Sequence, residues 1–116
     1  MHQYLLILRD DPAIFHQMSP QQIQEVFAKY VAWRVRMQEA GRLVGGNKLE
    51  DNTGRVLSAG PSNQMRITDG PFAESKELIG GYFMINADSY EDAVELCRDC
   101  PHLEYGAIEV RRVDKM

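Results

Sequence analysis

The sequence predicts an α+β fold in which one antiparallel sheet carries two helices on a single face. Three observations lead to this prediction. Strand-like apolar runs occur near both ends and in the middle of the chain, capped amphipathic helices lie between them, and a β-hairpin pattern separates the two halves. The order β-α-β-(β-hairpin)-β-α-β is that of a ferredoxin-like plait built from two split β-α-β units.

The first strand and the first helix have clear sequence signals. Residues 2–9 are apolar on both faces, which is typical of a central strand. Ser19 and Gln22 flank Pro20 as a capping box, so a long helix is expected to begin there and to end at Gly41. Its apolar stripe, expected in the core, consists of Ile23, Val26, Phe27, Tyr30, Trp33 and Met37.

The remaining elements follow the same logic of apolar runs bounded by turn and cap residues. They are a strand at 42–49, a hairpin within 53–69 that turns at 60–63, a strand at 80–87, a helix capped by Ser89 and a last strand at 107–113. Gly80 and Gly81 are expected to allow a close approach of backbones where their strand begins.

Two helices can cover only one face of such a sheet, yet both faces of its central strands are apolar. The first alternating register is taken to contain Leu5, Ile7, Phe83 and Ile85, and the second Tyr4, Leu6, Tyr82 and Met84. Because an apolar open face normally marks an interface, we expect a homodimer that forms through the open sheet face.

Size, charge and apolar pattern exclude several classes of protein. The 116 residues are expected to form a single domain, 1–116. With 13 Lys plus Arg against 17 Asp plus Glu the net charge is −4, which disfavours direct nucleic-acid binding. The longest apolar run, at 4–8, is far shorter than the about 20 residues of a membrane span. No signal peptide or disulfide framework is readable, so a cytoplasmic location is expected.

The densest polar cluster follows the hairpin. Asp69 stands at a strand end, where a carboxylate can act as a general acid or base or anchor a small-molecule ligand in a cleft. Asp-Gly-Pro is also ordinary turn chemistry, in which Asp69 bonds backbone amides and Phe72 packs into the core. Both interpretations remain open. The ligand-binding candidates around Asp69 are Arg9, Gly70, Pro71, Phe72, Glu74, Lys76 and Glu77.

Other chemistry-bearing residues are interpreted as structural. Cys97, Cys100 and His102 offer three ligands where a closed zinc site has four, and the cysteines lie at the end of a helix where its dipole disfavours a thiolate. Cys97 is therefore expected in the core and Cys100 at the helix end. No metal or other cofactor is expected. His2, His16 and His102 are scattered in sequence with no metal or triad spacing, and His16 is expected at the surface.

Several segments resemble a known family. The run at 68–83, which contains Asp69-Gly70-Pro71-Phe72, is similar to the signature of the DGPF family, a branch of the YCII-related proteins in the dimeric α/β-barrel superfamily. The segments at 4–7, 40–43 and 107–111 also fit this family. Ser75 stands where a Thr is common.

The resemblance implies a ferredoxin-like fold, a homodimer with facing sheets and a bacterial, cytoplasmic origin, but no established reaction. Some YCII relatives resemble enzymes that pair a His on the first helix with an acidic group, and Tyr30 stands where that His would fall. Relatives of this branch are also linked with extracytoplasmic-function sigma factors. The alternative to small-molecule binding or catalysis is therefore a non-catalytic regulatory module with a sigma-factor link.

Overall fold

The computed structural model describes residues 1–70 and 78–116, and it contains the predicted α+β plait. One antiparallel sheet has the strand order β2-β5-β1-β6. Its strands are β1 (His2–Asp10), β2 (Leu43–Lys48), β5 (Leu78–Ala87) and β6 (Gly106–Arg112). The two strands with apolar residues on both faces, β1 and β5, occupy the centre, as their pattern predicted.

In the described part of the chain, three helices accompany this sheet: α1 (Ala13–His16), α2 (Pro20–Glu39) and α3 (Tyr90–Cys97). The capping box of α2 is confirmed. The backbone N–H of Gln22 donates to Ser19 Oγ at 3.2 Å, and the backbone N–H of Ser19 donates to Gln22 Oε1 at 2.8 Å. Beyond the end of α2, Gly41 has a φ of +72°, a conformation that favours glycine. No described helix is long and apolar enough to cross a membrane.

The predicted grouping of strand residues is wrong in its register. In the antiparallel pair of β1 and β5, Leu6 lies opposite Phe83 and Tyr4 opposite Ile85. Leu5 and Ile7 lie opposite Met84 and Tyr82 instead. Alternation within one strand separates its two faces, but only the pairing of strands decides which faces join.

The core lies between the helices and one face of the sheet. Trp33 and Met37 of α2 pack there, and α3 contributes Ala93 and Cys97. The remaining buried apolar residues of this cluster are Tyr4, Leu6, Leu8, Phe83, Ile85, Ala87 and Cys100.

The opposite face of the sheet, here called the open sheet face, is not covered by the described helices. Its centre consists of Leu5, Ile7, Tyr82 and Met84, all of them partly exposed. Beside them Arg9 Nη2 contacts Glu109 Oε1 at 2.8 Å. Because that pairing holds the charged form, the pKa of Glu109 lies below its ordinary value.

A separate two-stranded sheet is formed by β3 (Arg55–Ala59) and β4 (Met65–Asp69). The turn predicted at 60–63 is present, with a 3-10 turn at Pro61–Asn63. Ser62 and Asn63 have φ values of +57° and +62°, in the left-handed region that hairpin connections use. The hairpin prediction is therefore confirmed.

Candidate functional site

A cavity of about 420 Å³ lies between α2 and the helix-covered face of the sheet. This volume falls in the range of sites that hold small organic molecules. The walls are largely apolar and include three phenylalanine rings. The apolar residues that line the cavity are Leu8, Phe15, Met18, Ile23, Val26, Phe27, Val31 and Phe83.

Among the polar residues that line this cavity, Asp10 and His102 are buried, and Tyr30, Arg34 and Tyr82 are half-buried. Tyr30 comes from α2, Asp10 ends β1, and His102 lies in a 3-10 turn at Pro101–Glu104. Arg34 Nη1 donates to the Gly46 carbonyl oxygen at 2.9 Å, and Lys48 and Asp51 lie on the more exposed part of the lining. The cavity therefore combines an apolar wall with a small polar cluster, a composition typical of ligand sites.

Both ring nitrogens of His102 have hydrogen-bond partners. Nε2 lies 2.9 Å from the Arg9 carbonyl oxygen, and Nδ1 lies 2.8 Å from the Tyr30 hydroxyl. A carbonyl only accepts, so Nε2 carries the proton and donates it. In the neutral ring Nδ1 is then the acceptor, and the Tyr30 hydroxyl donates to it.

This arrangement determines how Tyr30 can meet a ligand. While His102 is neutral, the Tyr30 proton is engaged, and the hydroxyl oxygen can accept a further hydrogen bond. When His102 is protonated, Nδ1 donates to Tyr30, and the Tyr30 hydroxyl is released to donate to an ionised oxygen. Burial raises the pKa of Tyr30, so the residue acts as a neutral hydroxyl.

A glycine makes the contact between His102 and the backbone of β1 feasible. A Cβ atom on Gly106 would collide with the Arg9 carbonyl oxygen, the same atom that accepts from His102. The sequence did not indicate the burial of His102, which is only 1% exposed. Its two hydrogen bonds offset the free-energy cost of burying the ring. The sequence around Pro101 has no apolar periodicity that would have predicted this burial.

Asp10 is a second site residue that sequence reasoning missed, since it was interpreted only as the end of a strand. Its side chain is buried, and burial raises the pKa of its carboxyl, while the charge of His102 opposes that rise. A Cβ on Gly80 would lie 2.6 Å from Asp10 Oδ2, and one on Gly81 would lie 2.8 Å from the Asn47 carbonyl oxygen. The predicted close approach of backbones is confirmed at Gly81, whereas at Gly80 the atoms that approach belong to the Asp10 side chain.

The aromatic stripe of α2 is divided between the core and the cavity. Trp33 is buried against Phe83, with ring centroids 5.0 Å apart, as expected of a core residue. Phe27 is 50% exposed, so the expectation that it belongs to the core is wrong, whereas Tyr30 is half-buried and packs against the core. Both line the cavity, because the first half of α2 stands over open space rather than over packed side chains.

The residues predicted around Asp69 are partly outside the described chain. The Asp69 side chain is 92% exposed at the end of β4, and its carboxylate lies 3.6 Å from the Arg55 guanidinium. Gly70 and Arg9 line a second depression that also includes Arg55 and Leu78. Pro71, Phe72, Glu74, Lys76 and Glu77 lie outside the described residues. The catalytic or ligand-binding role of this cluster stays a prediction.

The two cysteines belong to the core. Cys97 is buried as expected, and burial raises the pKa of its thiol to about 12. Cys100, expected only as a helix-end residue, is also buried, with its pKa raised to about 11. Within residues 1–70 and 78–116, no three or more His, Cys, Asp or Glu side chains cluster as metal ligands would.

Comparisons with known proteins agree with this fold. The model of the YCII-related domain matches residues 2–116. An uncharacterized protein of Rhizobium meliloti (strain 1021) is 26% identical over 110 residues, which is 93% of this chain and 89% of the relative.

A solved structure is similar over nearly the whole chain. It is 5-chloro-2-hydroxyhydroquinone dehydrochlorinase from Burkholderia phenoliruptrix AC1100, in complex with 2,5-dihydroxybenzoquinone. The TM-score is 0.54 at 16% identity, and the match covers 97% of this chain and 93% of that one. At this identity the likeness shows the fold alone, and it confirms the predicted plait.

Proposed function

The chain belongs to the YCII-related family, as predicted, and from this premise we propose that it binds a small molecule in the cavity between α2 and the sheet. The ligand class that fits is a flat, largely apolar ring with hydroxyl or ionised oxygen groups. Aromatic walls favour the faces of such a ring, and the cluster of Asp10, Tyr30 and His102 favours its oxygens.

One observation carries this proposal: a hydrogen-bonded Tyr30–His102 pair lies beside a buried carboxyl in an otherwise apolar cavity. Burying polar groups in apolar surroundings costs free energy, so a domain that needed only stability would fill this space with apolar side chains. Titratable groups shifted by burial inside a cleft are instead typical of functional sites.

The same cluster can take part in chemistry. A carboxyl whose pKa is raised by burial is a stronger proton acceptor than an ordinary one, so Asp10 is the candidate general base. It would take the proton of an acidic ligand hydroxyl, and Tyr30 would donate to the resulting oxygen when Nδ1 of a protonated His102 donates to the Tyr30 hydroxyl. Whether the bound ligand then reacts is a separate step, and the enzymatic part of the proposal rests on this proton transfer.

The related dehydrochlorinase supports the choice of a first probe, because it was solved with a hydroxylated quinone. We expect 2,5-dihydroxybenzoquinone to bind this chain in isothermal titration calorimetry. The Tyr30→Phe variant removes one hydroxyl and should weaken binding about 2- to 12-fold, the loss expected for one hydrogen bond. Tyr90→Phe is the matched control, since Tyr90 lies on α3 and its hydroxyl accepts from the Arg112 amide.

Two results would contradict the proposal. The first is no binding of the quinone at millimolar concentration. The second is an equal loss of affinity in Tyr30→Phe and Tyr90→Phe, which would place the effect outside the cavity.

The homodimer is also part of the proposal. Leu5, Ile7, Tyr82 and Met84 form the centre of an apolar face that the helices leave uncovered, and such faces favour association. Sedimentation equilibrium at micromolar concentration should therefore give twice the mass of one chain, and a single-chain mass would contradict it. The bacterial, cytoplasmic origin and the sigma-factor link stay predictions.

A further inference from the structure

The β3–β4 hairpin has two chemically different faces. Across the pair, Leu57 lies opposite Ile67 and Ala59 opposite Met65, whereas Ser58 lies opposite Arg66 on the other face. The first face is therefore apolar towards the turn and carries the Arg55–Asp69 pair at its base, and the second is mainly polar, with Val56 opposite Thr68 beside Ser58 and Arg66. The hairpin apolar face is defined here by Leu57, Ala59, Met65 and Ile67.

The hairpin apolar face is exposed to solvent. Leu57, Met65 and Ile67 have exposed fractions of 57%, 59% and 56%. The two strands pair with each other and with no other described strand. An isolated two-stranded hairpin is at best marginally stable in water, so an amphipathic one needs a surface to pack against.

The solvent-accessible area of the chain is larger than that of a compact monomer, and the excess indicates how much surface a partner could bury. The chain exposes 8153 Å², whereas a compact monomer of 13.2 kDa exposes about 6,400 Å². Its radius of gyration is 16.3 Å, against about 13 Å for a compact chain of this length. The excess of about 1,700 Å² is roughly twice the about 800 Å² that each partner buries in a standard interface.

We propose that the hairpin apolar face packs against a second copy of this chain, so that each subunit of the homodimer holds the other with its hairpin. This inference rests on the homodimer proposed above. The hairpin is a second contact between the subunits, in addition to the contact through the open sheet face. Strands of five residues extend about 17 Å, enough to cross the about 14 Å width of a four-stranded sheet.

A second copy explains the two uncovered surfaces with one partner. In a two-fold dimer each chain offers the same hairpin and the same open sheet face, so both can be covered at once. Charges of both signs border each surface: Arg55 and Asp69 lie at the base of the hairpin, and Arg9, Glu109 and Arg111 lie on the open sheet face. Because neither surface carries charges of one sign only, like-charge repulsion does not prevent two copies from associating.

The test compares two variants that each place one negative charge on the hairpin. Ile67→Asp alters the apolar face, and Ser58→Asp alters the polar face. We expect Ile67→Asp to raise the dimer dissociation constant at least 10-fold in analytical ultracentrifugation, because a charge would be buried against the partner. Ser58→Asp should stay within about twofold of the wild type, since its side chain faces solvent.

Hydrogen exchange of the intact wild type provides a second measurement. Amides of β3 and β4 should be protected at concentrations where the dimer forms and should lose protection on dilution, because the hairpin alone is marginal. This readout does not depend on the folding of any variant.

The outcomes separate this inference from the dimer itself. A wild-type chain that stays monomeric overturns both. A wild-type dimer that Ile67→Asp leaves unchanged, or that both variants weaken equally, overturns the role of the hairpin and leaves the homodimer standing. A hairpin that stays equally protected in the dilute monomer also overturns it.

Discussion

Leu6 in β1 and Leu57 in β3 have similar cross-strand partners but differ in their exposure to solvent. Each lies opposite an apolar residue in an antiparallel pair, Phe83 for Leu6 and Ile67 for Leu57. Leu6 is fully buried beneath the helices, whereas Leu57 is 57% exposed. Alternation makes one face of a β-ribbon apolar, but the next layer of structure decides whether that face becomes core or interface.

The largest expected effect is the difference between these two leucines. Leu6→Ala should lower the free energy of unfolding by about 2–5 kcal/mol, because it leaves a cavity in a packed core. Leu57→Ala should lower it by less than about 0.5 kcal/mol in dilute solution, as for other exposed positions. Urea denaturation of both variants measures the contrast. Similar losses would show that the hairpin face is packed within its own chain.

A smaller effect is expected inside the cavity wall. Gly106→Ala would push against the Arg9 carbonyl and break its hydrogen bond with His102, at a cost of about 1–3 kcal/mol. Gly45→Ala is the matched control, since a Cβ there meets no atom within 4 Å. Nitrogen chemical shifts of His102 should change in the first variant only. An unchanged His102 spectrum in Gly106→Ala would contradict the inference that Gly106 makes room for the hydrogen bond between His102 and the Arg9 carbonyl.

The smallest expected effect concerns Asp10 and pH. Burial raises the pKa of its carboxyl, so the folded state favours the protonated form. Stability from this group is complete below the ordinary carboxyl pKa and falls as the pH rises through the raised value. Asp10→Asn removes this dependence and should raise the melting temperature by a few degrees at pH 7.

The control for that prediction is Asp114→Asn, which alters an exposed carboxyl near the end of the chain. Its melting temperature should follow the wild type at every pH. A lower melting temperature for Asp10→Asn at pH 7 would mean that the ionised carboxylate stabilises the fold, contrary to the inferred cost of its burial.

The sequence predicted the parts of the fold that depend on local signals. Ser19 and Ser89 cap their helices as expected, and the turn at 60–63 joins the hairpin. The pairing of Leu6 with Phe83 was not predictable in the same way, because the register joins residues far apart in the chain.

The site was harder to predict than the fold, for a physical reason. His102 is buried because Gly106 lets the Arg9 carbonyl approach it, and Tyr30 satisfies its other nitrogen. These contacts link residues separated by up to 93 positions, so no local pattern contains them. Asp10 looked like an ordinary strand end, and only its place beside Gly80 in the folded chain indicates a site.

Arg9 contributes to both surfaces of the central sheet. Its guanidinium contacts Glu109 on the open sheet face, and its carbonyl oxygen accepts from His102 on the side of the cavity. In the proposed homodimer this one residue would connect the subunit interface with the ligand site. Thermodynamic linkage then follows: a ligand that binds more tightly to the dimer strengthens association by the same factor by which association strengthens ligand binding.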